Sequence, residues 1–286
     1  MKAEMKLAVY GVGLIGGSFS LALKKAGRVG EVVGFGRSEK TLIEAKNLGI
    51  IDRMGKDEDI GNADLILLAT PVGQMPEIMK RISPLLGSHT LVTDAGSTKG
   101  DVVQIAREMM GEKLGQFVPA HPIAGGEKSG PLAALADLFK GKKVVLTSLP
   151  ENSSGSVERV RKIWEACGAA VSEMSPDEHD EVFAAVSHLP HLLSFALVHD
   201  IAERENRDLL LSFAASGFRD FTRIAGSSPE MWRDICLSNR EALLVELERY
   251  MTELDVIRQA LSEKDAKKLE EIFSEARTVR NGWTPQ

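Results

Sequence analysis

Two kinds of hydrophobic pattern divide this chain. Up to about residue 174, short continuous apolar runs alternate with stretches of helical periodicity. The runs are Lys6–Tyr10, Glu31–Phe35, Asp64–Thr70, Thr90–Asp94, Phe117–Ala120, Lys143–Thr147 and Ala169–Met174. Most are rich in Val, Ile and Leu and are bounded by Gly, Pro or polar residues. Such strands, separated by helices, indicate a parallel sheet covered on both faces. The spacing therefore predicts a doubly wound, mostly parallel α/β domain over 1–174. After Met174 only helical periodicity remains. Ser175-Pro176-Asp177-Glu178 reads as a helix start, with a serine cap, proline in the first turn and carboxylates facing the helix dipole. Val182, Ala185, Val186 and Leu189 recur at helical spacing, as do Leu243, Leu244, Leu247 and Met251, and 256–280 reads as further amphipathic helix. An all-helical domain over 175–286 follows. Its helices are too few to enclose a full core, so a homodimer that buries the remaining apolar faces is expected.

Composition adds exclusions. The 286 residues are 43% hydrophobic and 27% charged, values of an ordinary globular protein rather than a disordered or fibrous one. With Lys plus Arg at 35 and Asp plus Glu at 41, the net charge is −6, which lacks the basic footprint of a nucleic-acid binder. The only cysteines, Cys167 and Cys236, have neither zinc nor disulfide spacing, which fits a reducing cytoplasm. The first residues do not read as a signal peptide, and no uninterrupted apolar run reaches the roughly 18 residues of a membrane span. No membrane or nucleic-acid partner is expected.

The first run leads into Gly11-Val12-Gly13-Leu14-Ile15-Gly16. G-x-G-x-x-G is a weak signal alone and a strong one between a strand and a helix. Gly11 permits the tight turn, Gly13 lets a pyrophosphate approach the backbone, and Gly16 lets helix and sheet pack closely. Leu14 and Ile15 open the helix whose N-terminus would face the phosphates. Thr70 and Pro71, closing the third run, fall at the same strand ends. This is a Rossmann-type dinucleotide site. At the end of the second run an acid would bind the ribose of NAD, and an arginine would accommodate the 2′-phosphate of NADP. Here Gly36-Arg37-Ser38 offers a guanidinium and a hydroxyl with no carboxylate, so NADP is favoured and NAD remains open.

The fifth run ends in Ala120-His121-Pro122, which predicts His121 at the carboxyl end of a strand, where open α/β sheets bind ligands. Histidine suits general-base work near neutrality. Ser97, after the fourth run, falls in the same crevice and can orient the imidazole. His188 and His191 stand three apart without a third metal ligand in view, so no metal is expected. His188 reads as structural. His89, His179 and His199, and Trp164 and Trp283, lie in contexts that ask for nothing beyond packing or solvation. Arg219 and Arg223, four apart on an expected helix, can share a face, and Arg219 has Asp220 beside it as an ion-pair partner.

The strings DAGSTKG, HPIAGGEKSG, SHLPH, GFRDFTRIA and MWRDI, in that order behind the fingerprint, resemble the prephenate dehydrogenase family, which includes the arogenate and cyclohexadienyl dehydrogenases. The resemblance runs to about residue 240. It implies oxidative decarboxylation of prephenate to 4-hydroxyphenylpyruvate in tyrosine biosynthesis, or of arogenate to tyrosine. It further implies His121 as the catalytic base, Ser97 as its support, and Arg223 as the partner of a substrate carboxylate. His191 is implied in side-chain and tyrosine recognition, Glu127 at the pocket mouth, and Trp232 as an aromatic arriving from the partner subunit. Prephenate is favoured because a histidine can hydrogen-bond a keto acid. With nothing beyond the helices to form a sensing domain, tyrosine inhibition is expected at the active site itself. The alternatives are a β-hydroxyacid dehydrogenase, which would need a catalytic lysine on the helical domain, and a dinucleotide sensor, which would not need His121, Ser97 and Arg223 together.

Overall fold

The computed structural model describes residues 5–126 and 128–284. The α/β part runs β1 (Met5–Tyr10), α1 (Leu14–Lys25), β2 (Val29–Phe35), α2 (Glu39–Asn47), β3 (Arg53–Met54), α3 (Asp57–Asn62), β4 (Leu65–Leu68), α4 (Met75–Ile82), β5 (Leu91–Asp94) and α5 (Gly100–Met110). It continues through β6 (Ala120–Pro122), β7 (Lys143–Leu146), α6 (Ser154–Ala166) and β8 (Ala170–Glu173). Helices follow: α7 (Pro176–Phe183), α8 (Leu189–Ala202), α9 (Arg207–Ser212), α10 (Ser216–Thr222), α11 (Pro229–Ser238), α12 (Arg240–Glu263) and α13 (Ala266–Gly282).

The first five strands form a parallel sheet in the order β3-β2-β1-β4-β5, the doubly wound arrangement read from the apolar runs. Alternation along β1 explains how one strand serves two cores. Leu7 and Val9 enter a cluster with Phe19, Leu23 and Trp164, whereas Ala8 and Tyr10 enter a second cluster with Ile66, Met75 and Met79. Trp164 is fully buried, with Phe19 and Phe139 packed against its ring at 4.6 and 5.3 Å. The packing reading of that tryptophan is the observed one.

The later strands depart from a single open sheet. β6, β7 and β8 form a separate three-stranded sheet, with β6 antiparallel to β7. The chain stays with the first sheet only through Phe117 and Val118, which pair with Val92, and then crosses over. His121 is therefore not at the carboxyl end of a fifth parallel strand. It sits inside β6, opposite Val145. The strand β3 is two residues long, too short to show as an apolar run.

Ser175 caps α7 as its sequence suggested, its hydroxyl accepting the Glu178 amide at 3.2 Å. Residues 184–188 then form a π-helical turn that joins α7 to α8. One extra residue in the turn rotates the face that follows. Phe183, Ala184, His188 and Leu189 are buried, while Val182 and Val186 of the expected stripe are 40% and 67% exposed. Similarly, Leu243 is buried but Leu244 and Met251 are exposed. The run Pro176–Ala202 is long and apolar enough to cross a membrane by composition. Its buried positions nevertheless include His179, Asp180, His188 and Ser194, polar groups held by hydrogen bonds.

Gly16 shows how tightly α1 seats on the sheet. A Cβ there would lie 2.1 Å from the Gly11 carbonyl oxygen and 2.9 Å from Val9. Gly16→Ala is expected to push α1 off β1 and to cost about 1–3 kcal/mol of stability, as overpacking does. Urea unfolding that shows an unchanged midpoint would contradict this packing.

Candidate active site

The glycine turn carries the geometry a pyrophosphate needs. Gly11 has φ +90°, a left-handed conformation natural to glycine. A Cβ on Gly13 would meet only the Gly130 amide at 4.0 Å, so the backbone there is open to a ligand. Beside this turn lies a cleft of about 720 Å³, lined by Gly13, Gly36, Arg37, Ser38, Thr70 and Pro71 among others. The Thr70 hydroxyl is buried without a hydrogen-bond partner, a polar atom that a bound nucleotide can satisfy. Together with the open Gly13, it makes the cleft fit a dinucleotide.

Arg37 and Ser38 line the cleft just after β2. Ser38 caps α2, its hydroxyl oxygen accepting the Thr41 amide at 3.3 Å. Its own O–H is left to donate outward. A Cβ on Gly36 would meet nothing closer than Leu42 at 3.6 Å, so no crowding forbids an acidic side chain; the carboxylate is simply absent. Glu77 and Arg81 line the same cleft, and Arg81 is ion-paired with Asp57.

His121 is held from behind. Its Nδ1 lies 2.8 Å from His179 Nε2, and His179 Nδ1 lies 2.7 Å from Asp180 Oδ1. Asp180 also accepts the backbone amides of Lys99 at 2.9 Å and Gly100 at 2.8 Å, where α5 begins. Phe183 packs on both imidazoles, with ring centroids 4.8 Å from His121 and 4.4 Å from His179. Burial drives the His121 pKa well below the ordinary histidine value, and electrostatic interactions with His179, Lys99 and His188 act in the same direction. The side chain is accordingly neutral at neutral pH. His179 is also lowered, chiefly by burial, with Asp180 opposing.

A fully buried ion pair between Lys99 and Asp94 lies beneath this cluster. Asp94 also accepts the Gly96 amide at 2.8 Å and the Ala120 amide at 2.9 Å, joining β5 to the residue before His121. Asn239 donates to the Asp180 carbonyl at 2.8 Å and meets His188 Nδ1 at 3.0 Å. Ser97 enters through its backbone, which hydrogen-bonds His188. Burial takes the His188 pKa down to about 4. It is a buried structural histidine, as its context suggested.

The third group of side chains lies on the helices. His191 stacks on Trp232 with centroids 3.7 Å apart and planes at 18°. The resemblance implied a tryptophan arriving from a partner subunit, but this indole packs on its own chain and is 8% exposed. Trp232 lies in the first turn of α11, which Ser228 caps. The indole Nε1 has no hydrogen-bond partner. The His191 pKa is lowered first by burial, and the Arg223 charge lowers it further, which places the guanidinium in the same neighbourhood. Nδ1 of His191 lies 2.9 Å from the Ser187 carbonyl, to which it donates. A neutral His191 then offers Nε2 only as an acceptor. The keto-acid argument for prephenate required a donor there and does not hold at this nitrogen. Arg219 is exposed and pairs with Asp220 at 3.3 Å, as read from the sequence. Glu127 lies outside the described residues.

Sequence reasoning missed His179, Asp180, Asn239 and the Lys99–Asp94 pair. Lys99 and Asp94 lie within DAGSTKG, so two opposite charges in a motif of otherwise small, uncharged residues were the available signal. His179-Asp180 gave none, because a His-Asp pair in the first turns of a helix looks like solvated surface.

Comparison with known proteins bears on the family and the fold. Residues 19–173 match the family model described as prephenate dehydrogenase, nucleotide-binding domain, and residues 175–275 match prephenate dehydrogenase, dimerization domain. The chain is 38% identical over 286 residues to the prephenate dehydrogenase of Bacillus subtilis, covering 99% of this chain and 76% of that protein. It is 33% identical to the cyclohexadienyl dehydrogenase of Zymomonas mobilis, covering 96% and 94% respectively. The solved prephenate dehydrogenase of A. aeolicus, in complex with hydroxyphenyl propionate and NAD+, superposes with a TM-score of 0.91 at 36% identity, over 97% of this chain and 98% of that one. Both family domains match in sequence order, and the whole fold agrees with a solved member. On these grounds the chain belongs to the prephenate dehydrogenase family.

Proposed function

We propose that this chain catalyses the oxidative decarboxylation of prephenate to 4-hydroxyphenylpyruvate, using a nicotinamide dinucleotide in tyrosine biosynthesis. The observation that carries the reading is His121, kept neutral by burial and hydrogen-bonded from behind. Residues 1–174 would hold the dinucleotide through Gly11, Gly13, Leu14, Ile15, Gly16, Thr70 and Pro71, and 175–286 the substrate and a subunit contact. The bound nicotinamide supplies the hydride acceptor. His121 takes the proton of the ring C4 hydroxyl, and loss of the ring carboxylate as CO2 aromatises the ring. Ser97 supports His121 on the nicotinamide side. The Arg223 guanidinium binds a substrate carboxylate in bidentate fashion, and His191 and Trp232 line the side-chain subsite.

A second reading, arogenate, is favoured by His191, whose acceptor Nε2 suits the ammonium that arogenate carries in place of a keto group. Fluorescence of the reduced cofactor, followed with each substrate in turn, separates the two. Failure of both to reduce the cofactor refutes the activity.

His121→Asn keeps polarity but removes the base, so kcat should fall about 10²–10⁴-fold. Because the His121 value is depressed below 6.5, the base stays neutral above that pH. The acid limb of kcat/KM should therefore lie below pH 6.5, where activity is lost as His121 takes up a proton. Arg223→Ala instead removes a charge-assisted contact worth roughly 1.5–3 kcal/mol, raising KM by about one to two orders of magnitude with the acid limb kept. An unchanged kcat in His121→Asn means the base lies elsewhere.

NADP is the preferred cofactor on this reading, through the Arg37 guanidinium and the Ser38 hydroxyl. Arg37→Ala should lower kcat/KM for NADP about 10–100-fold and leave NAD within a few-fold. A wild-type preference for NAD would refute the assignment.

A homodimer formed by the helices accounts for their exposed apolar residues, among them Val186, Phe213, Leu237, Leu244 and Met251. Two-fold pairing would bury such faces. Light scattering should give twice the 31.1 kDa chain mass, and a fully active monomer would refute it.

A further inference from the structure

We propose that His179 and Asp180 are positioning residues for the reaction, fixing His121 in the tautomer whose bare Nε2 is the base. The inference rests on His121 being that base and adds which of its nitrogens acts and what holds it there.

The tautomers follow from the carboxylate outward. Burial works to raise the Asp180 pKa, but hydrogen bonds from His179, Gly100 and Lys99 outweigh it and leave the group below its ordinary value. Asp180 is thus ionised and can only accept. Its Oδ2 takes the Gly100 amide, and its Oδ1 takes the Lys99 amide and faces His179 Nδ1. His179 Nδ1 must therefore carry the proton. A neutral imidazole has one N–H, so His179 Nε2 is bare and can only accept. The group 2.8 Å from it is His121 Nδ1, which must then be the donor. His121, neutral in turn, is left with Nε2 unprotonated. One carboxylate sets the protonation of four ring nitrogens.

The same line serves the proton transfer. When the substrate hydroxyl gives its proton to His121 Nε2, the O–H bond breaks, the N–H bond forms, and the ring becomes an imidazolium. Its positive charge faces His179, whose far nitrogen is bonded to the Asp180 carboxylate. Each proton already in the line stays on its nitrogen, so Asp180 remains ionised. In the hydrolase triads a carboxylate orients and stabilises its histidine in this way, and its loss there costs about 10⁴-fold in kcat. Here a second imidazole lies between carboxylate and base, and Phe183 packs at a tilt against both rings, which limits their rotation.

The arrangement depends on three parts of the chain. β6 supplies His121, α7 supplies His179 and Asp180, and the amides that lock Asp180 belong to Lys99 and Gly100, at the start of α5. The role of Asn239 fits as well, since it holds the Asp180 carbonyl in place.

The experiment compares His179→Leu with His179→Gln, alongside His121→Asn. Leucine fills the space but cannot accept from His121 Nδ1. The amide oxygen of glutamine reaches about as far as an imidazole Nε2 and can accept. His179→Leu should lose on the order of 10²-fold in kcat with KM within about threefold, and His179→Gln should recover at least tenfold of that loss. Nitrogen-15 spectra of the imidazoles, with His121 assigned by its absence in His121→Asn, should show its Nε2 unprotonated in the wild type at pH 8. A kcat within threefold of wild type in His179→Leu overturns the proposal, as does equal impairment of the Leu and Gln variants, which would signify packing alone. If His179→Leu does not fold, the wild-type spectrum decides, and a protonated His121 Nε2 overturns the proposal. An active His121→Asn shows instead that the base itself was misassigned.

Discussion

The buried Lys99–Asp94 ion pair ties the parts of this protein together. Neither side chain is exposed, so the charges are tolerable only because each is matched. Asp94 spends its remaining acceptor capacity on the amides of Gly96 and Ala120, and thereby fixes the turn after β5 and the chain just before His121. The Lys99 backbone amide reaches the other way, to Asp180 on the first helix of the helical part. One residue thus neutralises a buried carboxylate with its side chain and anchors another with its backbone. Removing one member of such a pair costs about 3–5 kcal/mol in general, because the other charge is left buried and unmatched.

The consequence is that His121 is set in a second sheet rather than at the rim of the first. The chain leaves the parallel sheet after Val118, and β6 turns antiparallel to β7. This brings His121 under α7, where His179 and Phe183 cover it. Desolvation there keeps the imidazole neutral, and a neutral imidazole is the form able to accept a proton. The loop beyond β6 returns to the fingerprint, with Gly130 near Gly13 and Gly126 near Leu14. The loop that follows His121 consequently reaches the glycine turn, although the two lie on different sheets.

The π-helical turn over 184–188 has a similar structural consequence. It directs His188 inward to Asn239 and sets His191 on the Trp232 face. Val182 and Val186 are left outward.

What the sequence determined by itself was whatever local sterics and periodicity encode. The apolar runs predicted four of the five strands of the first sheet, because a strand buried on both faces needs continuous apolar residues. The Gly11-x-Gly13-x-x-Gly16 spacing predicted the turn, because only glycine tolerates the backbone angle at Gly11 and the approach at Gly16. Ser175 announced its helix by cap chemistry, and the ordered motifs identified the family. Tertiary structure alone decided that His179 and Asp180 stand in line behind His121, that His121 lies in β6, that Trp232 stacks on its own chain's His191, and which nitrogen of His191 is left to accept. These are contacts between residues as far apart in the chain as Lys99 and Asp180. They depend on which groups burial brings together and on which partner each proton then finds. Neither condition leaves a period or a spacing in the sequence.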